Sequence, residues 1–435
     1  MTDHKLPLWL TIVRNRRTSG SVLALLLAGL CLLAQSAQSQ TFTVLHNFTG
    51  GVDGSQPEAG LTMDASGNLY GTAEAGGEAG GCSGLGCGTV FKLARRGSGW
   101  IFSPLYSFTG GSDGAFPVAR VVLGANGTLY GSTFAGGDAD GGYGAGVVFN
   151  LRPPAHLQGS VFSPWTETVL HTFAGGGNGA NPVGDLIFDH AGNIYGAASC
   201  LSGERNCQGT VYEIMPSGGG WTETILYAFS LGSDGYYPTG GVIFDHAGNL
   251  YGATEAGGIF WGTVFQLTPS GSGWTETVLH NFQDASDGGF PAAGLISDSS
   301  GDLYGTTGAY GPQEGGTVFE LSPSGSVWMF DLLYGFHCSG GACYSLPGPQ
   351  ASLFMDSSGN LFGTTTQDGA YGYGNVFKLT PQAVGWTYTS LHDFTGGSDG
   401  AIPYSSVLED ASGNLFGTAA EGGSYGKGVV WEITP

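Results

Sequence analysis

Basic residues are scarce in this 435-residue sequence, with 12 Lys and Arg against 34 Asp and Glu and a net charge of −22. A surface so poor in cations repels nucleic acid and anionic lipid, which excludes both as partners. Charge of either sign is thin, at 11% of residues against about 25% in ordinary domains. Beyond residue 39 no stretch has the periodicity of an amphipathic helix. No second Cys pair or His pair stands at zinc-ligand spacing. Neither His156 nor His337 lies near a Ser or Cys at triad spacing. The sialidase-type box Ser-x-Asp-x-Gly-x-Thr-Trp is missing, although Ser112-Asp113-Gly114 echoes part of it.

What is abundant is glycine, 82 residues, together with 12% aromatics. That combination reads as many short strands joined by tight turns. The first 39 residues differ in kind. Arg14, Arg16 and Arg17 precede an uncharged apolar run from Val22 to Ala34, followed by Ala34-Gln35-Ser36 and Ala37-Gln38-Ser39. This is the pattern of a secretory signal peptide, with an apolar part too short for a comfortable membrane span. An uncleaved anchor is the alternative. Cys31 is a poor lipoprotein site because Leu30 precedes it. Removing residues 1–39 leaves 8 basic and 33 acidic side chains, a net charge of about −25. The expected location is secreted or periplasmic, with no membrane span in the mature chain.

Six cysteines remain, in the close pairs Cys82/Cys87, Cys200/Cys207 and Cys338/Cys343. In an exported chain such pairs read as local disulfides. Each is worth roughly 2 kcal/mol by loop entropy, enough to pin a loop rather than hold a fold.

Internal repetition dominates the rest. Gly67-Asn68-Leu69-Tyr70-Gly71 recurs, with small changes, from Gly127, Gly192, Gly248, Gly301, Gly359 and Gly413, in steps of 60, 65, 56, 53, 58 and 54 residues. Each copy contains four strand-like runs. One follows a Pro, one is Leu-Tyr-Gly-Thr, one is Gly-Thr-Val-Phe, and one runs from Trp to Phe as in Trp274–Phe282. The first two are joined by Asp-x-x-Gly at Asp64, Asp189, Asp245, Asp298, Asp356 and Asp410. There Asp caps a tight turn and Gly supplies positive φ. The chain opens on a lone fourth run, Thr41 to Phe48, and closes on a third run, Gly428 to Ile433. Pairing the two completes a seventh set of four. Residues 40–435 are therefore expected to form one all-β, seven-bladed β-propeller of four-stranded antiparallel blades, closed by the N-terminal strand joining the last blade.

The repeat, with its Asp-Gly-x-x-Pro, Ser-Gly-Asn-Leu-Tyr-Gly-Thr-Thr and Gly-Thr-Val-Phe-Lys-Leu followed by Trp, resembles the GloVer repeat of exported bacterial proteins. The resemblance spans residues 41–435 and implies the propeller-like architecture, but it brings no agreed activity. Members often end in C-terminal surface anchors. This sequence departs from that habit, stopping at Pro435, two residues after its last expected strand, and the resemblance leaves surface attachment open.

In a propeller, the loops from strand four to one and from strand two to three share a face. Here that face is expected to carry the long Gly-rich loops, the cysteine pairs and the Asp-Gly segments at Asp53, Asp113, Asp234, Asp287 and Asp399, with Asn178 standing in the third. A ring of such carboxylates suits a calcium ion or a sugar; turn capping explains it more simply. His46, His171, His280 and His392 share a column with Tyr106, Tyr227 and Tyr334 and read as packing. Three residues after each Pro stand Gly60, Arg120, Asp185, Gly241, Gly294, Ser352 and Ser406. Arg120 and Asp185 alone are charged, on adjacent blades, and are either an inter-blade ion pair or a polar anchor at the channel mouth. The expected function is binding or scaffolding by a monomer, toward a glycan or cell-envelope ligand, without a required cofactor. A metal-assisted lyase or hydrolase at the channel mouth is the alternative.

Overall fold

The leucine–tyrosine–glycine–threonine run explains why its neighbours fold around it. A Cβ on Gly71 would lie 2.5 Å from the ring of Phe91 and 2.8 Å from Leu61. Only glycine lets the third strand lay its aromatic ring across the second. The same contact recurs at Gly305 on Phe319 and Gly363 on Phe377. Those rings are wholly buried, so the sheet's core is dictated by one residue without a side chain.

The computed structural model describes residues 40–77, 81–138, 144–154, 164–200, 208–271, 273–283, 286–337 and 347–435. Phe42–Thr434 forms one body. It is all-β. Five four-stranded sheets and one eight-stranded sheet account for its named strands. The eight-stranded sheet is two four-stranded halves joined by one parallel bridge, Asp185↔Gly241. Taken in chain order, the four-stranded sets are 62–107, 122–172, 182–228, 236–281, 296–337, 354–393, and 408–434 with 41–47. They are numbered as sheets I to VII. Within each, successive strands are antiparallel neighbours, and Thr41–Asn47 lies outside Val429–Thr434 in sheet VII.

The turns between first and second strands follow the expected chemistry. The Asp64 carboxylate accepts from the Ser66 and Asn68 amides at 2.8 and 2.9 Å, and from the Asn68 side chain and the Tyr70 hydroxyl. Burial pushes this carboxyl up, but the four donors outweigh it and leave it below the usual carboxylate range. Asp245 repeats the arrangement with Ala247, Asn249 and Tyr251. Asp64→Ala is expected to cost about 1 kcal/mol, as loss of a capping group does. Urea denaturation checks it, with the exposed Ser98→Ala as a near-silent control.

Adjacent sheets meet along seams with two levels. At the outer level, the fourth-strand His or Tyr of one sheet faces a side chain from the fourth strand of the next. His280 stacks on Phe330 at 4.4 Å, Tyr334 on Tyr388 at 4.5 Å, His392 on Phe42 at 3.7 Å and His46 on Phe102 at 3.8 Å. In three consecutive seams a carboxyl replaces the ring. Glu167 faces Tyr106, Glu223 lies 3.4 Å from His171, and Glu276 faces Tyr227. At the inner level, a second-strand Thr donates to a carbonyl of the next sheet: Thr72 to Ala119, Thr306 to Ala351, Thr364 to Ser405 and Thr418 to Ala59. Sheets II, III and IV carry Ser132, Ala197 and Ala253 there, and Ser132 Oγ has no hydrogen-bond partner.

Candidate functional site

The residues one to three places beyond each Pro lead into the first strand, or in sheets III and IV lie within it, and so sit at the inner edge of every sheet. All seven copies contribute such residues to one cavity of about 200 Å³. Its wall is mostly small residues and backbone, a consequence of Ala or Gly two places after six of the seven prolines. Against that wall the charged departures stand out.

Arg120 and Asp185 do meet. Arg120 Nη2 lies 2.7 Å from Asp185 Oδ2, and the Arg120 amide donates to Asp185 Oδ1 at 3.3 Å. The two side chains stay 34% and 29% exposed, so the pair both links sheet II to sheet III and faces the cavity. Arg120 Nε is buried without a hydrogen-bond partner, as is Thr239 Oγ1 on the same wall. Both readings of the pair are thus compatible with its geometry.

A second group was not singled out from the sequence. Glu58, one place after its Pro, shares a hydrogen bond with Glu74 at the end of the neighbouring strand. Burial, then the Glu74 charge and that bond, then Glu421 push the Glu58 carboxyl up to about 8. Burial likewise raises Glu74. The pair therefore holds a proton at neutral pH. Tyr404 of sheet VII completes the group, its hydroxyl raised by burial and by the three carboxyls. The signal was there to be read: the column one place after Pro runs Glu58, Val118, Val183, Thr239, Ala292, Gln350 and Tyr404, and Glu58 is its only charged member.

The five Asp-Gly carboxylates behave differently. Asp53, Asp113 and Asp399 each accept from the amide and hydroxyl of the Thr four residues earlier. Asp234 does the same with Ser230 at 2.8 and 2.7 Å, and Asp287 accepts from the Gln283 amide. Each also holds the His or Tyr of its own fourth strand: His46 at 3.1 Å, Tyr106 at 3.1 Å, Tyr227 at 3.1 Å, His280 at 3.0 Å and His392 at 3.1 Å. Burial pushes Asp234 and Asp399 up, but these donors prevail and leave both lowered. None of the five lines the cavity. Among the described residues no three Asp, Glu, His or Cys side chains are grouped to hold a metal ion.

The His/Tyr column is therefore more than packing. Its members stack across the seam and anchor the following loop, which both a phenol and an imidazole can do by donating one hydrogen bond. Where Asn178 replaces Asp, His171 Nε2 has no hydrogen-bond partner. Burial holds its imidazole, like the other three, below the ordinary value.

Cys82 and Cys87 are bonded, with Cα atoms 5.3 Å apart, and pin the loop after Leu69–Ala73 against Thr109–Gly110. Cys200 is disulfide-bonded as well. Cys207, Cys338 and Cys343 lie outside the described residues. Exposed tyrosines gather on sheets VI and VII as Tyr371, Tyr373, Tyr404 and Tyr425, with Tyr404 on the cavity wall. No helix among the described residues is long and apolar enough to cross a membrane.

Known structures align with the chain at low identity. A fungal alcohol oxidase of the AA5 family, in complex with copper, aligns with a TM-score of 0.51 and 13% identity over 92% of this chain and 77% of its own. A candidate 6-phosphogluconolactonase of Bacteroides uniformis aligns at 0.48 and 14% identity, covering 85% and 94%. A candidate oxidoreductase (glucose dehydrogenase) of Thermus thermophilus aligns at 0.42 and 14%, covering 91% and 99%. At these identities the first likeness speaks to a propeller-like fold and not to activity, and the other two are too distant to add to it. No curated protein matches. The family model of the Gloeobacter/Verrucomicrobia repeat matches residues 31–200, 140–346 and 200–431. With that match spanning its seven copies end to end, the chain belongs to the Gloeobacter/Verrucomicrobia repeat family.

Proposed function

We propose that this is an exported protein, a closed seven-bladed propeller that binds an uncharged, polyhydroxylated ligand such as a glycan end at its central cavity. The observation that carries the binding reading is the division of labour between two sets of polar groups. The repeated Asp, His and Tyr side chains are used up in their own loops, whereas the departures from the repeat converge on the cavity. Arg120 and Asp185 cancel in charge, and Glu58 keeps its proton at neutral pH. What remains is donors and acceptors with little net charge, including Arg120 Nε and Thr239 Oγ1. Hydroxyl groups suit these, and the exposed tyrosines offer faces on which a sugar ring stacks.

Closure is supported by contacts between the chain's two ends, among them Thr418 Oγ1 to Ala59 at 3.1 Å and Phe48 N to Gly428 O at 3.0 Å. Export is supported by the apolar segment before residue 40 and by the disulfides. A second reading rests on Glu58 and Glu74. A carboxyl pair sharing a proton at a cavity is also an acid–base device, and a hydrolase or lyase would use it so.

A glycan array followed by calorimetric titration of the mature protein tests the reading. Arg120→Ala should weaken binding of any hit at least about tenfold, the scale of one lost charge-assisted bond. Asp113→Asn should leave binding intact. A silent array, or binding that follows Asp113 and not Arg120, would count against it. Turnover of a bound glycan that is abolished in Glu58→Gln would favour the enzyme.

A further inference from the structure

Sheet III, Pro182–Ala228, is bounded by two seams unlike the others. Among the described residues, seam II/III has neither an inner Thr bond nor an outer ring stack, and seam III/IV has neither. Both instead bury a carboxyl at the outer level. Glu223 faces His171 of sheet II and Tyr212 of its own third strand. Glu276 faces Tyr227 of sheet III and Asp234 of the following loop. No Lys or Arg among the described residues pairs with either. Glu223 Oε1, Glu276 Oε1 and the wholly buried Tyr212 hydroxyl have no hydrogen-bond partner.

The inner edges of the same two seams are fastened differently. Arg120–Asp185 ties II to III, and the parallel bridge Asp185↔Gly241 ties III to IV. Gly184 permits the second contact, since a Cβ there would lie 2.3 Å from the Gly241 nitrogen. Elsewhere that column holds Ala or Ser, apart from Gly240. Sheet III is thus fastened through Asp185 at its inner edge and, at its loop end, by Asn181 N to Ala145 O at 2.7 Å and Tyr237 N to Gln208 O at 3.0 Å, with Tyr130 on Phe188 and Tyr195 on Phe244 packed between. Only its outer fourth strand, Gly220–Ala228, meets both neighbours through a carboxyl in place of a ring stack.

We propose that the fourth strand of sheet III, Gly220–Ala228, is a proton-gated element of the ring: with Glu223 and Glu276 protonated it seats against both neighbours, and when those protons leave this outer strand loosens. The physical reason is that a buried carboxylate without a cation or a donor gains free energy by reaching water. Burial, with the Asp234 charge added at Glu276, raises both carboxyls to about 7. His171 does not compensate, because burial keeps it neutral. The sign follows from linkage. The folded state holds protons that an unfolded chain releases in the ordinary carboxylate range, so stability falls as pH rises from there through about 7 and then levels off. Glu167 in seam I/II titrates by the same causes, with Asp113 added, but Thr72 still fastens that seam. The inference rests on the closed-ring reading.

Hydrogen exchange of the mature protein at pH 6 and pH 8, corrected for intrinsic rates, tests it. Exchange in 220–228 should rise several-fold more between the two pH values than in the ring-stacked strand 386–393. The double variant Glu223→Gln with Glu276→Gln should abolish the difference. Equal pH responses in the two strands, or an unchanged difference in the double variant, would overturn the gate. Should that variant not fold, Glu223→Gln alone gives a second arm: it should cut the difference at least about twofold, and an unchanged difference would overturn the gate. An open ring would show itself separately, as rapid exchange of 41–47 at both pH values.

Discussion

Phe48→Ala should lower stability by about 3–5 kcal/mol, the range for truncating a buried Phe. Phe48 is wholly buried where the chain leaves Thr41–Asn47 and enters sheet I. Its ring meets Phe91 at 5.3 Å and Phe102 at 5.8 Å, both from sheet I. Its amide donates to Gly428 of sheet VII. One residue thus holds two sheets that are far apart in sequence. Deleting 41–48 should do more. Val429–Thr434 would lose its outer partner and become an unpaired edge, so aggregation should accompany the loss of stability. Urea unfolding and gel filtration read the two effects. A Phe48→Ala change below about 1 kcal/mol, or a deletion that stays monomeric with an unchanged melting profile, would refute the closure.

Gly240→Ala should be nearly as damaging, although it adds one carbon. A Cβ there would stand 2.1 Å from the Ala293 carbonyl carbon and 2.2 Å from the Gly294 nitrogen. Both are backbone atoms of the next sheet, so no side chain can swing aside. The cost should sit at or above the upper end of the ~1–3 kcal/mol typical of overpacking. Gly273→Ala is the control. No atom lies within 4 Å of its Cβ position and its backbone is not left-handed, so it should be within about 0.5 kcal/mol of neutral. Equal midpoints in urea for the two variants would mean that the inner edges of sheets IV and V are not in contact.

Some features were open to reading without coordinates because they are local. The Asp-x-x-Gly turn, the glycine beneath each aromatic and the four-run repeat each involve residues close in sequence or fixed by a repeated column. Arg120 and Asp185 were found because they break such a column. Glu58 breaks a neighbouring column equally clearly, yet its meaning depends on Glu74, just past the second strand of its sheet, and on Glu421, near the other end of the chain. The His/Tyr column looked like packing because its partners lie in different columns. Its Asp is seven residues away, and its seam partner, Phe102, Glu223 or Phe330, is some 50 to 60 residues on. Aligning the copies shows that second column as Phe42, Phe102, Glu167, Glu223, Glu276, Phe330 and Tyr388. What no alignment of copies supplies is which column faces which across a seam.

The pairing of Thr41–Asn47 with Val429–Thr434 also has a consequence for how the molecule is assembled. Six sheets are built from strands that are consecutive in sequence, whose contacts form sooner than those between distant segments. The seventh waits for segments whose contacts span 359 and 377 residues. Between those events the molecule exposes one edge that accepts a strand and one strand that seeks an edge. Two copies at high concentration satisfy both needs by exchange, each lending its first strand to the other's last sheet. A domain-swapped dimer is therefore the characteristic misassembly of this architecture, favoured by rapid refolding at high protein concentration and suppressed by dilution.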